Sequence, residues 1–276
     1  MNIAAGICTR GYTQCRFGQM HFLAGQPASY APPTAPTLVM LHQTPSTSEE
    51  YAPLLRRLAR DRHVIAFDTP GYGMSDAPPG PQSIFSYAAA FCDALDAMRL
   101  PGPIDLFGYH TGTLMAVEIA LARPSLIGRL VLSGVPMRTD QECADRLAAA
   151  RASPQPTEDG AALMAQSRAL WNYVVTNRNS DVTLARAADV FAEKNKSLHR
   201  GWWAYEGVWS YAYQDRFVQL TQPVLCLQPH DGLQEQTRQA CALIPRGICQ
   251  DMPELNRDIF DSAPETLHAA ISAFLN

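Results

Sequence analysis

The sequence predicts an α/β fold: a mostly parallel sheet of eight strands with helices on both faces and one all-helical insertion. Three observations point there. Short apolar runs such as Leu38-Val-Met-Leu41 recur along the chain and alternate with helix-forming stretches, the pattern of a parallel sheet built by right-handed crossovers. At 103–124 an apolar run passes through Gly108-Tyr109-His110-Thr111-Gly112 into an Ala- and Leu-rich segment that stops at Pro124, so a strand turns sharply into a helix. Between 137 and 219 the alternation lapses, and helical runs broken at Pro154, Pro156 and Gly201 take its place. The chain therefore divides into a core, 1–136 and 220–276, and an insertion, 137–219.

Taken in order, residues 7–25 alternate loosely about a turn at Phe17-Gly18-Gln19 and read as an antiparallel hairpin at the sheet edge. A Pro-rich connector covers 27–36. Residues 37–41 form a buried strand, and 48–60 a helix with Ser46, Thr47 or Ser48 as N-cap. The strand at 63–67 runs into Asp68-Thr-Pro-Gly-Tyr-Gly-Met-Ser75, whose glycines and proline suit a tight scaffolding turn. A helix at 84–100 precedes the strand at 104–107. Further strands fall at 127–133, 222–228 and 247–252, and an amphipathic helix ends at Leu275. In such a sheet ligands bind beyond the carboxyl ends of the strands, where His42, Asp68 and His110 all lie.

Composition bounds the function. A chain of 276 residues with 47% hydrophobic and 17% charged residues suits one globular domain with an insertion. A net charge of −4 gives no reason to expect nucleic acid or an anionic membrane as partner. No stretch approaches the roughly 20 apolar residues of a membrane span, and residues 1–15 lack a secretory signal pattern. Seven cysteines without a CxxC or metal-like spacing read as reduced thiols of a cytoplasmic protein, Cys226 as a core residue. No metal and no cofactor is expected; the partner is a small-molecule substrate, with a homodimer left open.

The turn at 108–112 has the geometry of a nucleophile elbow, with small residues two before and two after a strained apex beside a helix N-terminus. Here the chain resembles the α/β-hydrolases, where Gly-x-Ser-x-Gly fills this turn. The apex is instead His110. The resemblance extends to His42-Gln43-Thr44-Pro45, matching a His-Gly-x-Pro segment whose amide after the His forms half of an oxyanion hole, and to the Asp68–Ser75 turn. It implies that 137–219 is a helical cap and that Asp231, after the seventh strand, is the triad acid. It places Arg257, seven residues before Pro264, where the family has its catalytic His.

The three triad positions thus hold His110, Asp231 and Arg257, with neither a hydroxyl or thiol nucleophile nor the usual base. The amides of Gln43 and Thr111 are expected to converge on an oxyanion, with His110 beside it as base or nucleophile. Arg257 is expected to pair with Asp231 or to bind a substrate carboxylate. His42, Tyr109, Trp171, Trp202, Trp203 and Trp209 are the candidate walls of a largely apolar pocket. Ester or lactone hydrolysis, C–C cleavage, and decarboxylation or isomerisation through an enolate all fit these groups. So does a non-catalytic, ligand-binding descendant. His230 and His199 are the alternative bases.

Overall fold

A computed structural model describes residues 7–28 and 35–276, so the expected connector at 27–36 lies mostly outside the described residues. β1 (Ile7–Cys15) and β2 (Gly18–Gln26) form the hairpin, in register from Ile7↔Gln26 to Cys15↔Gly18. β3 (Leu38–Leu41), β4 (Val64–Phe67) and β5 (Ile104–Tyr109) are buried at every position, as strands covered on both faces must be. β6 (Ile127–Ser133), β7 (Val224–Pro229) and β8 (Gly247–Met252) complete the sheet. Its order is β1-β2-β4-β3-β5-β6-β7-β8, with every pairing from β4 to β8 parallel.

The two faces follow from the two-residue period of a strand. Val39 and Leu41 face one layer with α2 (Ile84–Met98) and α3 (Thr111–Ala122). Leu38 and Met40 face the other, with α1 (Ala52–Leu58) and the C-terminal helix. The helix expected at 48–60 is split: Thr47 caps a 3₁₀ turn, Ser48–Tyr51, and α1 starts afresh with Pro53 in its first turn. The cause is the cap bond itself, Glu49 N–H to Thr47 Oγ1 at 3.3 Å, followed by a proline that has no amide to donate.

Between β6 and β7 the described chain forms helices joined by turns and loops, with no strand. α4 (Asp140–Arg151) and α5 (Ala161–Trp171) lead into a π turn, Asn172–Thr176; α6 (Leu184–Asn195), α7 (Trp203–Trp209) and α8 (Tyr213–Phe217) follow. Tyr211, Tyr213 and Phe217 join the main core, which seats this segment on the sheet. Val174, Val175, Val182 and Ala187 form a small core of its own. α9 (Gln234–Leu243), α10 (Ile259–Ser262) and α11 (Pro264–Leu275) close the fold. Among the described residues no disulfide joins the cysteines, and no helix is long and apolar enough to cross a membrane.

The turn after β4 is held by buried polar groups. Asp68 accepts from His21 Nδ1 at 2.9 Å, from the Met74 amide at 2.9 Å and from the Ser48 amide at 2.6 Å. Burial alone would raise its pKa; these bonds and the neighbouring His42 outweigh burial and hold it below its ordinary value. His42 is sealed from solvent, its Nδ1–H donating to Gln43 O at 2.6 Å and its Nε2 accepting from the Thr69 amide at 2.9 Å. Burial lowers the affinity of His42 for a second ring proton, and the nearby carboxylates only partly oppose it.

Linkage then sets the sign of the pH dependence. Below the ordinary pKa of 6.5 the unfolded chain takes a proton at His42 that the folded ring refuses, so stability falls as the pH drops through that window. Asp68 contributes stability above 3.8 that is lost as the pH falls through its lower folded value. The unfolding free energy of the parent, read from urea titrations, is expected to fall between pH 7.5 and 5.5, by at most about 1.4 kcal/mol per pH unit for His42. In His42→Asn the stability should be lower but its slope over that interval flatter. An unchanged slope would remove His42 as its source.

Candidate active site

β5 delivers the chain to His110 at φ 47° and ψ −114°, a strained backbone that the fold enforces on both sides. The His110 amide donates to Ser133 O at 2.9 Å, extending the β5–β6 pairing by one residue, and α3 begins at the next position. Glycine is required on either flank by close approach. A Cβ at Gly112 would stand 1.9 Å from Leu41 O, and one at Gly108 2.5 Å from Gly112 O.

His110 Nε2 and Asp231 Oδ2 are 2.8 Å apart. Asp231 lies in the loop after β7, nearly buried, and its other oxygen accepts from the Leu233 amide at 3.0 Å. A carboxylate only accepts, so the neutral ring carries its proton on Nε2, and Nδ1 keeps a lone pair with no protein partner among the described residues. The ring lies against Tyr109, centroids 4.0 Å apart at 31°. Its edge rests on Gly134, where a Cβ would come within 2.3 Å of Cδ2 and 2.6 Å of Nε2. Gly134, at φ 66°, thereby clears the space that lets the imidazole reach Asp231. Gly134→Ala is expected to leave the fold intact and to abolish most activity by displacing the ring; a variant as active as the parent would refute that role.

The expected two-amide oxyanion hole is not formed. The Thr111 amide, first in α3, has no partner among the described residues. The Gln43 amide, however, donates to Glu50 Oε1 at 3.2 Å, and the Gln43 side chain donates to Glu50 Oε2 at 2.8 Å. Glu50 is buried, and Ser46 Oγ donates to it at 2.7 Å. Lys194 of α6 stands 3.6 Å away, donating to Pro45 O at 3.1 Å and Ser46 Oγ at 3.0 Å. Burial lowers the Lys194 pKa, and Glu50 offsets part of that. Sequence reasoning missed both residues. Glu50 reads as an acid in a helix first turn and Lys194 as a solvated cation, and nothing local joins positions so far apart.

Arg257 does not pair with Asp231. Its Nη2 donates to Tyr173 O at 2.7 Å, its Nε to Asp258 Oδ2 at 3.4 Å, and the guanidinium lies 5.3 Å from the Tyr173 ring centroid. Asp258, at φ 49°, turns the chain there, and Arg257 meets the helical segment instead. Two cavities meet at His110. The larger, about 380 Å³, is walled by Thr111, Pro136, Tyr205, Val208 and Trp209. The smaller, about 90 Å³, runs past Tyr109, Asp231 and Arg257.

Of the candidate walls, Tyr109 and Trp209 therefore fall on the cavities. The other four do not. His42 is enclosed by its hydrogen bonds; Trp171 packs edge-on against Phe191, centroids 5.1 Å apart, and is 40% exposed. Trp203 sits near Arg200, and Trp202 has a buried indole N–H without a partner away from both cavities. Helical periodicity could not say which of the clustered rings turn toward the sheet. The alternative bases also lie elsewhere: His230 Nε2 meets Asp251 at 2.9 Å on the surface, and His199 lies in a 3₁₀ turn.

A sheet in this order, with a strained apex at the end of β5 and an acid after β7 meeting it, defines the α/β-hydrolase architecture. The family model for the alpha/beta hydrolase fold matches residues 36–227, and the chain belongs to that family. It is 30% identical over 103 residues to (E)-2-((N-methylformamido)methylene)succinate hydrolase of Acinetobacter baylyi, and 32% identical over 100 residues to pyrrolizixenacetamide deacetylase of Xenorhabdus hominickii. These matches span 37% and 36% of this chain, and only 39% and 37% of the relatives' own lengths. Among solved structures, the enol-lactonase of Burkholderia xenovorans superposes with a TM-score of 0.77 at 19% identity, covering 96% of this chain and 99% of that one. A hydrolase of Pseudomonas aeruginosa gives 0.78 at 18% identity, covering 97% and 98%.

Proposed function

We propose that the chain is an enzyme acting on a small carbonyl compound, with the His110–Asp231 dyad as general base and without an acyl-enzyme. The observation that carries this reading is the 2.8 Å contact of His110 Nε2 with Asp231, which leaves Nδ1 as a base beside an open cavity. In hydrolysis of an ester or lactone, water attacks the carbonyl carbon as Nδ1 takes its proton. The carbonyl oxygen gains the charge and meets the Thr111 amide, and collapse returns the proton to the leaving oxygen. Enolate chemistry starts from the same group: Nδ1 takes a proton from carbon next to the carbonyl. Asp231 orients the ring and stabilises the imidazolium in either case. Relatives named (E)-2-((N-methylformamido)methylene)succinate hydrolase and pyrrolizixenacetamide deacetylase support a carbonyl substrate.

Intact-mass spectrometry during turnover of a small enol lactone or activated ester tests the base against the nucleophile. A general base leaves the protein mass unchanged throughout, whereas attack by His110 itself would add the acyl group. Detection of that adduct, and its loss in His110→Gln, would replace the proposal by nucleophilic catalysis.

The Glu50 carboxylate on the Gln43 amide favours a second reading, a ligand-binding protein without turnover. It withdraws one of the two donors that acyl transfer uses, a loss worth about 2.7–4 kcal/mol in enzymes that rely on such a donor. In the general-base reading the oxyanion then rests on the Thr111 amide alone, and the His110–Asp231 contact is what puts that reading first.

A further inference from the structure

The two cavities differ in charge. Glu50, Asp231, Asp258 and Asp261 line the smaller one together with Lys194 and Arg257, whereas no carboxylate lines the larger. The larger cavity is instead lined by three cations, Lys194, Arg138 and Arg146. Lys194 has Glu50 for a partner. The two arginines have no ion pair among the described residues, while Arg16, Arg151, Arg186 and Arg216 each grip a carboxylate. Arg138, just after β6, is half-buried, and its Nε is fully buried with no hydrogen-bond partner. Arg146, on α4 at the rim, lies 5.2 Å over the Trp209 ring. Burial and the neighbouring Arg146 both push the Arg138 pKa down. Glu142 offsets part of this charge without pairing with either arginine: its carboxylate closes the α4 capping box, accepting from the Thr139 amide at 2.9 Å and hydroxyl at 3.0 Å.

The buried Arg138 Nε left unused costs free energy unless an acceptor reaches it, and the Arg146 charge stands at the exposed rim of the same cavity. A carboxylate supplies such an acceptor in fork geometry. Beside them Tyr205 and Trp209 are stacked, centroids 6.1 Å apart at 17°, and Val208 extends the apolar wall. We infer that the larger cavity is a carboxylate subsite, in which Arg138 and Arg146 hold the acid group of a small apolar acid whose other end reaches His110. This names the substrate class for the proposed reaction and rests on that reading only for what happens at His110.

Calorimetric titration with 3-phenylpropanoate and its neutral isostere 3-phenylpropanamide tests the subsite without turnover. The parent should bind the carboxylate about ten- to a hundredfold more tightly than the amide, with a preference that shrinks as salt rises. Arg138→Met with Arg146→Met should abolish the preference. Should that double variant fail to fold, Arg146→Met alone, at the exposed rim, must cut it severalfold. His110→Gln should keep the preference in full, so failure of the base assignment would leave this result standing. Equal affinities, a preference that survives the arginine changes, or no carboxylate binding at millimolar concentration would each overturn the subsite.

Discussion

His110→Gln is expected to lower turnover by about 10²–10⁴-fold with little change in stability, the usual contribution of a positioned acid–base group. Glutamine has similar bulk, and its side-chain amide can still donate to Asp231, so the elbow and its contacts survive. What it lacks is a nitrogen lone pair able to take a proton. Asp231→Asn should cost a comparable factor for a different reason. An amide at 231 offers a donor to Nε2 as readily as an acceptor, which releases the tautomer that leaves Nδ1 free. His110→Ser should not yield an ordinary serine esterase, because Arg257 is turned to Tyr173 and no histidine stands ready to activate the hydroxyl. Turnover of His110→Gln within about twofold of the parent would end the catalytic assignment and put the ligand-binding reading ahead.

Lys194→Met should destabilise the protein by about 3–5 kcal/mol, read as a shift of the urea midpoint, because it strands a buried carboxylate. Glu50 would keep its bonds to Ser46 and to both amides of Gln43 but lose the only cation within 4.0 Å among the described residues. Adding Glu50→Gln should recover most of the loss, since an amide at 50 needs no counter-charge. The double change should also loosen the grip on the Gln43 amide, which returns a donor to the cavity. A cost below about 1 kcal/mol for Lys194→Met alone would mean that Glu50 is neutral or hydrated in the folded protein, and the coupling of helical segment to core would need another source.

Local physics was enough for the sheet. Runs such as Leu38–Leu41 and Val64–Phe67 are buried on both faces because they have no polar alternation, and Gly108 and Gly112 announce the sharp turn because only a residue without Cβ fits against Leu41 and the first turn of α3. His110 at the apex was legible for the same reason, from the turn residues around it, whereas Asp231 after β7 was legible only through the resemblance to the α/β-hydrolases, which carry an acid in that loop. The partners of those residues were not legible. Whether Arg257 meets Asp231 depends on a left-handed residue at Asp258 and on Tyr173 arriving from another segment. Whether the Gln43 amide is free depends on Glu50, and burying Glu50 depends on Lys194, distant in sequence. The juxtaposition of Arg138 and Arg146 emerges only once α4 packs on α7, because whether two arginines share a cavity without an ion pair is a property of their surroundings and not of the arginines. Backbone placement is decided by short-range sterics and burial, which a sequence carries; the pairing of charges is decided by which side chains long-range packing brings together, and only the tertiary structure settled that.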